Sequence, residues 1–461
     1  MEPFDWAFRN HHEMGQIYSW SWVQAQVEQT IEVWDRGATP SAQDGPQYSP
    51  KVQQKREQAY DQALRDVELE LKRAPRTKAE RIKTQDRIVA SFARFSAAAL
   101  DLEDETVRIL TEDFLPVGSK LARWARQFDE SLSMADIIQA CRNAWTACGL
   151  QPLLGERVGL TPSILGYSLL YPYSDNYLDR EDISAETKLR FSERFRDRLC
   201  GERLSANNYR EAALWTLVRL IEEQYPRARY PQVFDCLLAI HRAQEESIAQ
   251  LRRGNDPGDA ELLRMSCAKG GSSVLADACL AHGFLSGEES LFAFEWGVLL
   301  QLGDDLQDVR EDIRRGSLTL FSRAAVLGSP LDSLVIQLLN FSEHVAARMD
   351  HLPHGTEMLK KLLRMSWRSL IIGAIANSHE YFSPRFLEDA ERWSPFRFEF
   401  LRARNQRLTT RQGLYAILFE AFLEPRESND DELPMPQNQN SSHRETKASV
   451  RRRSRPILSK S

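Results

Sequence analysis

The chain of 461 residues is long enough for one large domain or two to three small ones, and its 42% hydrophobic residues suffice for a sizeable core. A net charge of −6 and a pI near 6.0 offer no global attraction to nucleic acid or to an anionic membrane. No apolar run reaches the roughly 18 residues of a membrane-spanning helix, and Met1-Glu-Pro-Phe-Asp-Trp6 lacks the basic and apolar regions of a secretory signal.

Helical periodicity recurs along the chain and strand alternation is almost absent, which predicts an all-α fold. Residues 15–35 form an amphipathic stretch with Trp20, Val23, Val27, Ile31 and Trp34 on one face. A Gly-, Pro- and Ser-bearing linker over 36–50 leads to a charged helix over 53–73 and a second one from Lys78 to Leu100. Apolar helical segments follow, with short breaks expected at 115–117, 149–159, 224–231, 253–258, 328–330 and 353–355. Residues 1–84 are read as an N-terminal helical extension and 85–424 as the main all-α domain. The segment 425–461 is rich in Pro, Ser, Asn and Gln and ends in Arg451-Arg-Arg-Ser-Arg455, the composition of a disordered tail. Its basic cluster is suited to weak contact with a membrane surface. The six cysteines lack Cys-x-x-Cys spacing and are read as buried free thiols of a reducing, cytoplasmic compartment.

The chemistry is concentrated in two acidic runs. Asp304, Asp308 and Asp312 stand at i, i+4 and i+8, so a single helix over 290–315 would stack three carboxylates on one face. Like charges so stacked repel and require a cation. On the same face Gly297 and Ala293 leave room below the acids, which reads as a cavity wall; Asp305 and Glu311 point elsewhere, toward solvent. Upstream, Asp175 and Asp179 repeat the spacing, one turn after Tyr171, with Pro172 expected to kink or start their helix. Mg²⁺ takes one or two protein carboxylates together with phosphate oxygens and waters, a demand that two acidic faces across a cleft would meet. Arg264 and Lys269, ahead of the second run, and Arg310, beside it, are candidate cations for a diphosphate.

These motifs resemble the class I isoprenoid (terpene) synthase superfamily. Asp304-Asp305-Leu-Gln-Asp308 matches the Asp-Asp-x-x-Asp motif of prenyl diphosphate synthases, and Asp175-Asn-Tyr-Leu-Asp179 is similar to the first motif of squalene/phytoene synthases and of tetraprenyl-β-curcumene synthase-like large bacterial terpene synthases. Lys269-Gly-Gly-Ser-Ser resembles the lysine-led helix that precedes the second motif in prenyl synthases. The resemblance implies a helical bundle around a central cavity and a cluster of up to three Mg²⁺ held by Asp175, Asp179, Asp304, Asp308 and Asp312. It also implies ionisation of an allylic prenyl diphosphate to a carbocation that ends as a terpene hydrocarbon or alcohol. Tyr167, Tyr171, Phe294 and Trp367 are candidates for the aromatic lining. The chain departs from the pattern at Asn176, in the place of the second aspartate, and Gly118-Ser-Lys120-Leu-Ala-Arg123 imitates the co-substrate site of chain-elongating enzymes poorly. The latter departure weakens a chain-elongating reading and favours chemistry on a single prenyl diphosphate, with a squalene-, phytoene- or polyprenyl-type prenyltransferase as the alternative. The reading from another class is a non-catalytic helical scaffold whose acidic faces sit in solvent.

Overall fold

The computed structural model describes residues 18–37, 46–73, 77–178, 180, 182–252, 257–410 and 433. Among these there are helices and no strand. The first half holds α1 (Trp20–Arg36), α2 (Pro50–Lys72), α3 (Lys78–Leu100), α4 (Asp104–Arg108), α5 (Leu115–Phe128), α6 (Met134–Leu153), α7 (Pro162–Tyr173), α8 (Asp175–Leu178), α9 (Ala185–Leu199) and α10 (Tyr209–Gln224). The second half holds α11 (Pro231–Arg252), α12 (Asp259–His282), α13 (Gly287–Gln307), α14 (Val309–Arg315), α15 (Leu320–Val326), α16 (Asp332–Asp350), α17 (Glu357–Asn377), α18 (Pro384–Arg392) and α19 (Phe398–Thr410). No described helix is long and apolar enough to cross a membrane. The tail assigned to 425–461 lies, except for Leu433, outside the described residues.

Helix α12 is the axis of the fold. It packs against α1, α6, α7, α11, α13 and α15, and its apolar run Val274-Leu-Ala is buried. Its contact with α13 is set by glycine: a Cβ on Gly297 would stand 2.1 Å from the Gly270 carbonyl oxygen, and one on Gly271 would meet the Phe294 ring at 2.5 Å. The two backbones therefore touch where side chains would normally separate them. Phe294 is buried and lies edge-on to Trp22 at 5.8 Å, so α1 is stitched into the main body rather than held apart as an extension. Burying a ring of that size contributes about 1.5–3 kcal/mol.

Side-chain chemistry fixes the helix starts. Ser133, Thr77 and Ser286 each accept from the third backbone N–H of the helix they precede, and Asp136, Glu80 and Glu289 reciprocate. Helix α3 starts and stops at the residues its periodicity indicates, and the expected boundary at 84/85 falls inside it.

Several expectations need correction. No break occurs at 115–117: a π-helical stretch, Ile109–Phe114, runs straight into α5, which carries Pro116 as its second residue. Pro172 neither starts nor ends a helix but lies within α7, and the interruption comes at Ser174. The helix expected over 290–315 is two helices, α13 and α14, joined at Asp308 with φ −92° and ψ 4°. Of the cysteines, Cys200 is exposed and the others are buried, with Cys236 and Cys279 sulfurs 3.0 Å apart.

Candidate functional site

Four helices bring polar groups to one end of the bundle. Helix α13 supplies Gln301, Asp304 and Asp305, and α14 supplies Asp312. The joint at Asp308 bends the chain without breaking the hydrogen-bond ladder: its N–H donates to the Asp304 carbonyl (2.9 Å) and its carbonyl accepts from Asp312 (2.8 Å). The three aspartates thus remain one turn apart.

The Asp304 side chain is 48% exposed, yet its carboxyl is pushed up to about 6, chiefly by desolvation. Arg142 opposes the shift, Asp308 and Asp305 add to it, and Lys269 opposes it. The Asp304 carboxyl is thus reached by water on one side and desolvated by protein on the other. Asp312 is likewise pushed up to about 6, first by desolvation and then by the charges of Asp305 and Asp308; the Thr319 hydroxyl and Arg315 work against it. Asp308 is exposed.

Asp305, expected in solvent, is buried and bound: it accepts from Ser266 Oγ at 2.6 Å and Gln301 Nε2 at 2.8 Å. The reason is the close α12–α13 approach, which brings Ser266 against the side of α13 that the sequence assigned to solvent.

Two cations face these acids. Lys269, half-buried on α12, acts on both Asp304 and Asp305 and makes no ion pair among the described residues. Arg142, on α6, approaches Asp304 to 3.5 Å. Nothing in the sequence singled out Arg142, because its partner lies 162 positions away. The other candidate cations are engaged elsewhere. Arg264 pairs with Glu28 of α1 at 2.7 and 3.2 Å, and Arg310 pairs with Glu380. Gly297 has no space beside it, since Gly270 fills that side.

Helix α7 leads from the other end of α12 toward the first acidic run. Helix α7 runs antiparallel to α12, with Ser163 Oγ donating to the Leu280 carbonyl (2.9 Å) and Tyr167 Oη to the Ser273 carbonyl (3.5 Å). That direction carries Tyr171, 37% exposed, and then α8 toward the Lys269 level. Asp175 opens α8; its side chain and all of Asp179 lie outside the described residues. Asn176, where the resembled motif has an acid, donates to Asp136 Oδ1 at 2.7 Å and so ties α8 to the start of α6. Arg142 stands on the same helix six residues on, about 9 Å along its axis. Helix α6 therefore links the two acidic segments. Of the aromatic candidates, Phe294 and Trp367 are buried in the core, Trp367 against Trp296 at 5.6 Å, while Tyr167 is half-buried.

Among the described residues, no three His, Cys, Asp or Glu side chains converge as a metal cage would. The donors nonetheless fit a divalent cation that arrives with its phosphate. Asp304 and Asp312 hold protons more tightly than free carboxyls, first because protein desolvates them and then because neighbouring aspartates add negative charge, and Mg²⁺ needs few protein ligands when phosphate supplies the rest. No protein-family profile, curated protein or solved structure matches the chain.

Proposed function

We propose that the acidic end of the bundle binds an allylic prenyl diphosphate with Mg²⁺ and ionises it, as a class I terpene synthase does. The observation that carries this reading is the half-exposed Asp304, whose carboxyl is pushed up to about 6 beside Asp308 and Asp305, with Arg142 3.5 Å away and the charge of Lys269 acting on it. Asp304, Asp308 and Asp312 would hold magnesium from one side, and Asp175 and Asp179 from the α8 side. Bound Mg²⁺ supplies positive charge that makes diphosphate a better leaving group.

The chain's own cations act on the phosphate oxygens. Lys269 and Arg142 donate charge-assisted hydrogen bonds that strengthen as the C–O bond breaks and its electron pair leaves with the diphosphate. Arg142, 3.5 Å from Asp304, would be free to turn to the phosphate if Asp304 held the metal. Arg264 and Arg310 contribute only if they exchange Glu28 and Glu380 for the ligand. The allylic cation that remains loses a proton or captures water.

Incubation with Mg²⁺ and farnesyl or geranylgeranyl diphosphate, followed by mass spectrometry, tests the reading. A monomeric terpene is expected. A doubled chain would make the protein a squalene- or phytoene-type prenyltransferase, and consumption of isopentenyl diphosphate a chain-elongating one. If no product forms and calorimetry detects no binding of Mg²⁺ with inorganic diphosphate, the scaffold reading replaces this one.

A further inference from the structure

Asp277 lies two helical turns past Lys269 on α12, about 12 Å from it along the helix axis. It is 1% exposed. Its Oδ1 accepts one hydrogen bond, from Asn143 Nδ2 of α6 at 3.1 Å, and the same amide nitrogen donates to Ser168 Oγ of α7 at 3.2 Å. Its Oδ2 is buried with no hydrogen-bond partner among the described residues.

The surroundings determine what this carboxyl is. Burial raises its proton affinity well above the ordinary range, and the Asn143 amide is the one group that opposes this. No charged side chain from α1, α6, α7, α11, α13 or α15 acts on it. The nearby titratable group is the Cys148 thiol of α6, itself pushed up to about 12 by burial and therefore neutral. An isolated carboxylate in such a place would cost several kcal/mol, so the group keeps its proton. Because Oδ1 already accepts, the proton belongs on Oδ2, which leaves an O–H donor facing no protein acceptor. Ser168 likewise accepts from Asn143 and has no acceptor for its own hydroxyl among the described residues. Buried donors of this kind are almost always satisfied by something. Asn143 is only partly buried, so the cluster is open on one side.

We propose that Asn143, Ser168 and Asp277 form an internal binding site for a single oxygen atom, to which the Asp277 carboxyl donates. The oxygen comes either from an ordered water or from a hydroxyl or carbonyl of a molecule lodged between α6, α7 and α12. The site does not depend on what occupies the acidic end of the bundle. If the terpene synthase reading also holds, this oxygen stands beside the hydrocarbon part of the substrate.

High-resolution crystal structures of the full chain, alone and with farnesol, test the proposal. An oxygen peak within hydrogen-bonding distance of Oδ2 is expected. A peak in the ligand-free crystal identifies water, and a peak only with farnesol identifies a ligand oxygen. Carbon atoms alone around Oδ2 in both crystals would overturn the proposal. Thermal melting against pH gives an independent check, because the folded protein binds this proton more tightly than the unfolded chain. Stability should therefore fall as pH rises from about 4 toward the raised folded value, and Asp277→Asn, which keeps an N–H donor, should abolish that component. Asp277→Leu should melt several degrees below Asp277→Asn. Equal melting of the two variants, or an unchanged pH profile in Asp277→Asn, would refute a donating carboxyl.

Discussion

The α2–α3 hairpin and the α13–α14 acidic end are both dense in charge, but they differ in what surrounds that charge. In the hairpin the carboxylates of Asp66 and Glu70 have arginines in reach: Asp66 meets Arg94 at 3.3 Å, and Glu70 meets Arg73 at 2.5 Å and Arg87 at 2.9 Å. At the acidic end, Asp304, Asp305, Asp308 and Asp312 act on one another, opposed mainly by Lys269, Arg315 and the 3.5 Å approach of Arg142. A charge run is an ordinary solvated face where cations match it. It becomes a candidate site where desolvation leaves it unmatched.

The comparison can be broken most directly by neutralisation. Asp304→Asn should lower turnover of a prenyl diphosphate by roughly 100- to 1,000-fold, the usual scale for losing one group that stabilises developing charge, whereas Asp66→Asn should leave turnover unchanged. Steady-state kinetics on the two variants measures this. Equal rates for wild type and Asp304→Asn would remove the acidic end from the chemistry.

A second prediction concerns the α12–α13 spacing on which the acidic end depends. Gly297→Ala gains about 1 kcal/mol of helix propensity but forces a Cβ onto the Gly270 carbonyl, so a net loss of about 1–3 kcal/mol is expected in chemical denaturation.

The pH response sharpens the contrast further. Asp304 and Asp312 are raised to about 6, so protonation should weaken binding of Mg²⁺ with inorganic diphosphate as pH falls through 6, as calorimetry between pH 5 and 8 would show. Without metal the sign reverses for stability. Both groups bind protons more tightly folded than unfolded, so their contribution is present below about 4 and is lost as pH rises through about 6.

The smallest effect is on metal-free stability at pH 8. Asp304→Asn should stabilise the protein by no more than about 1 kcal/mol, because the half-exposed side chain is partly screened. Asp66→Asn should cost about 0.2–1 kcal/mol, the range of an exposed ion pair. Paired melting curves compare the two.

What could be read from the chain followed from local rules. The ends of α3, the apolar stripe of α1 with Val23, Val27 and Trp34 buried, and the one-turn spacing of Asp304, Asp308 and Asp312 all come from periodicity and caps. What escaped depended on partners remote in sequence. Asp305 reads as a solvated acid from sequence because helix spacing says which way a side chain points, not that Ser266 waits there. Arg142 and Asn143 carried no motif at all. Asp277 did leave a signal, a lone acid within Val274-Leu-Ala-Asp277-Ala-Cys-Leu280. Gly270 and Gly297 were a second: small residues on neighbouring helices signal contact as readily as they signal a cavity.

That contact has a consequence for how the protein could evolve. With main chain resting on main chain at Gly270 and Gly297, no side-chain adjustment can tune the gap between Lys269 on one helix and Asp304 on the other. Mutational drift elsewhere can change the surrounding side chains, but the spacing of these two helices is inherited as a constant.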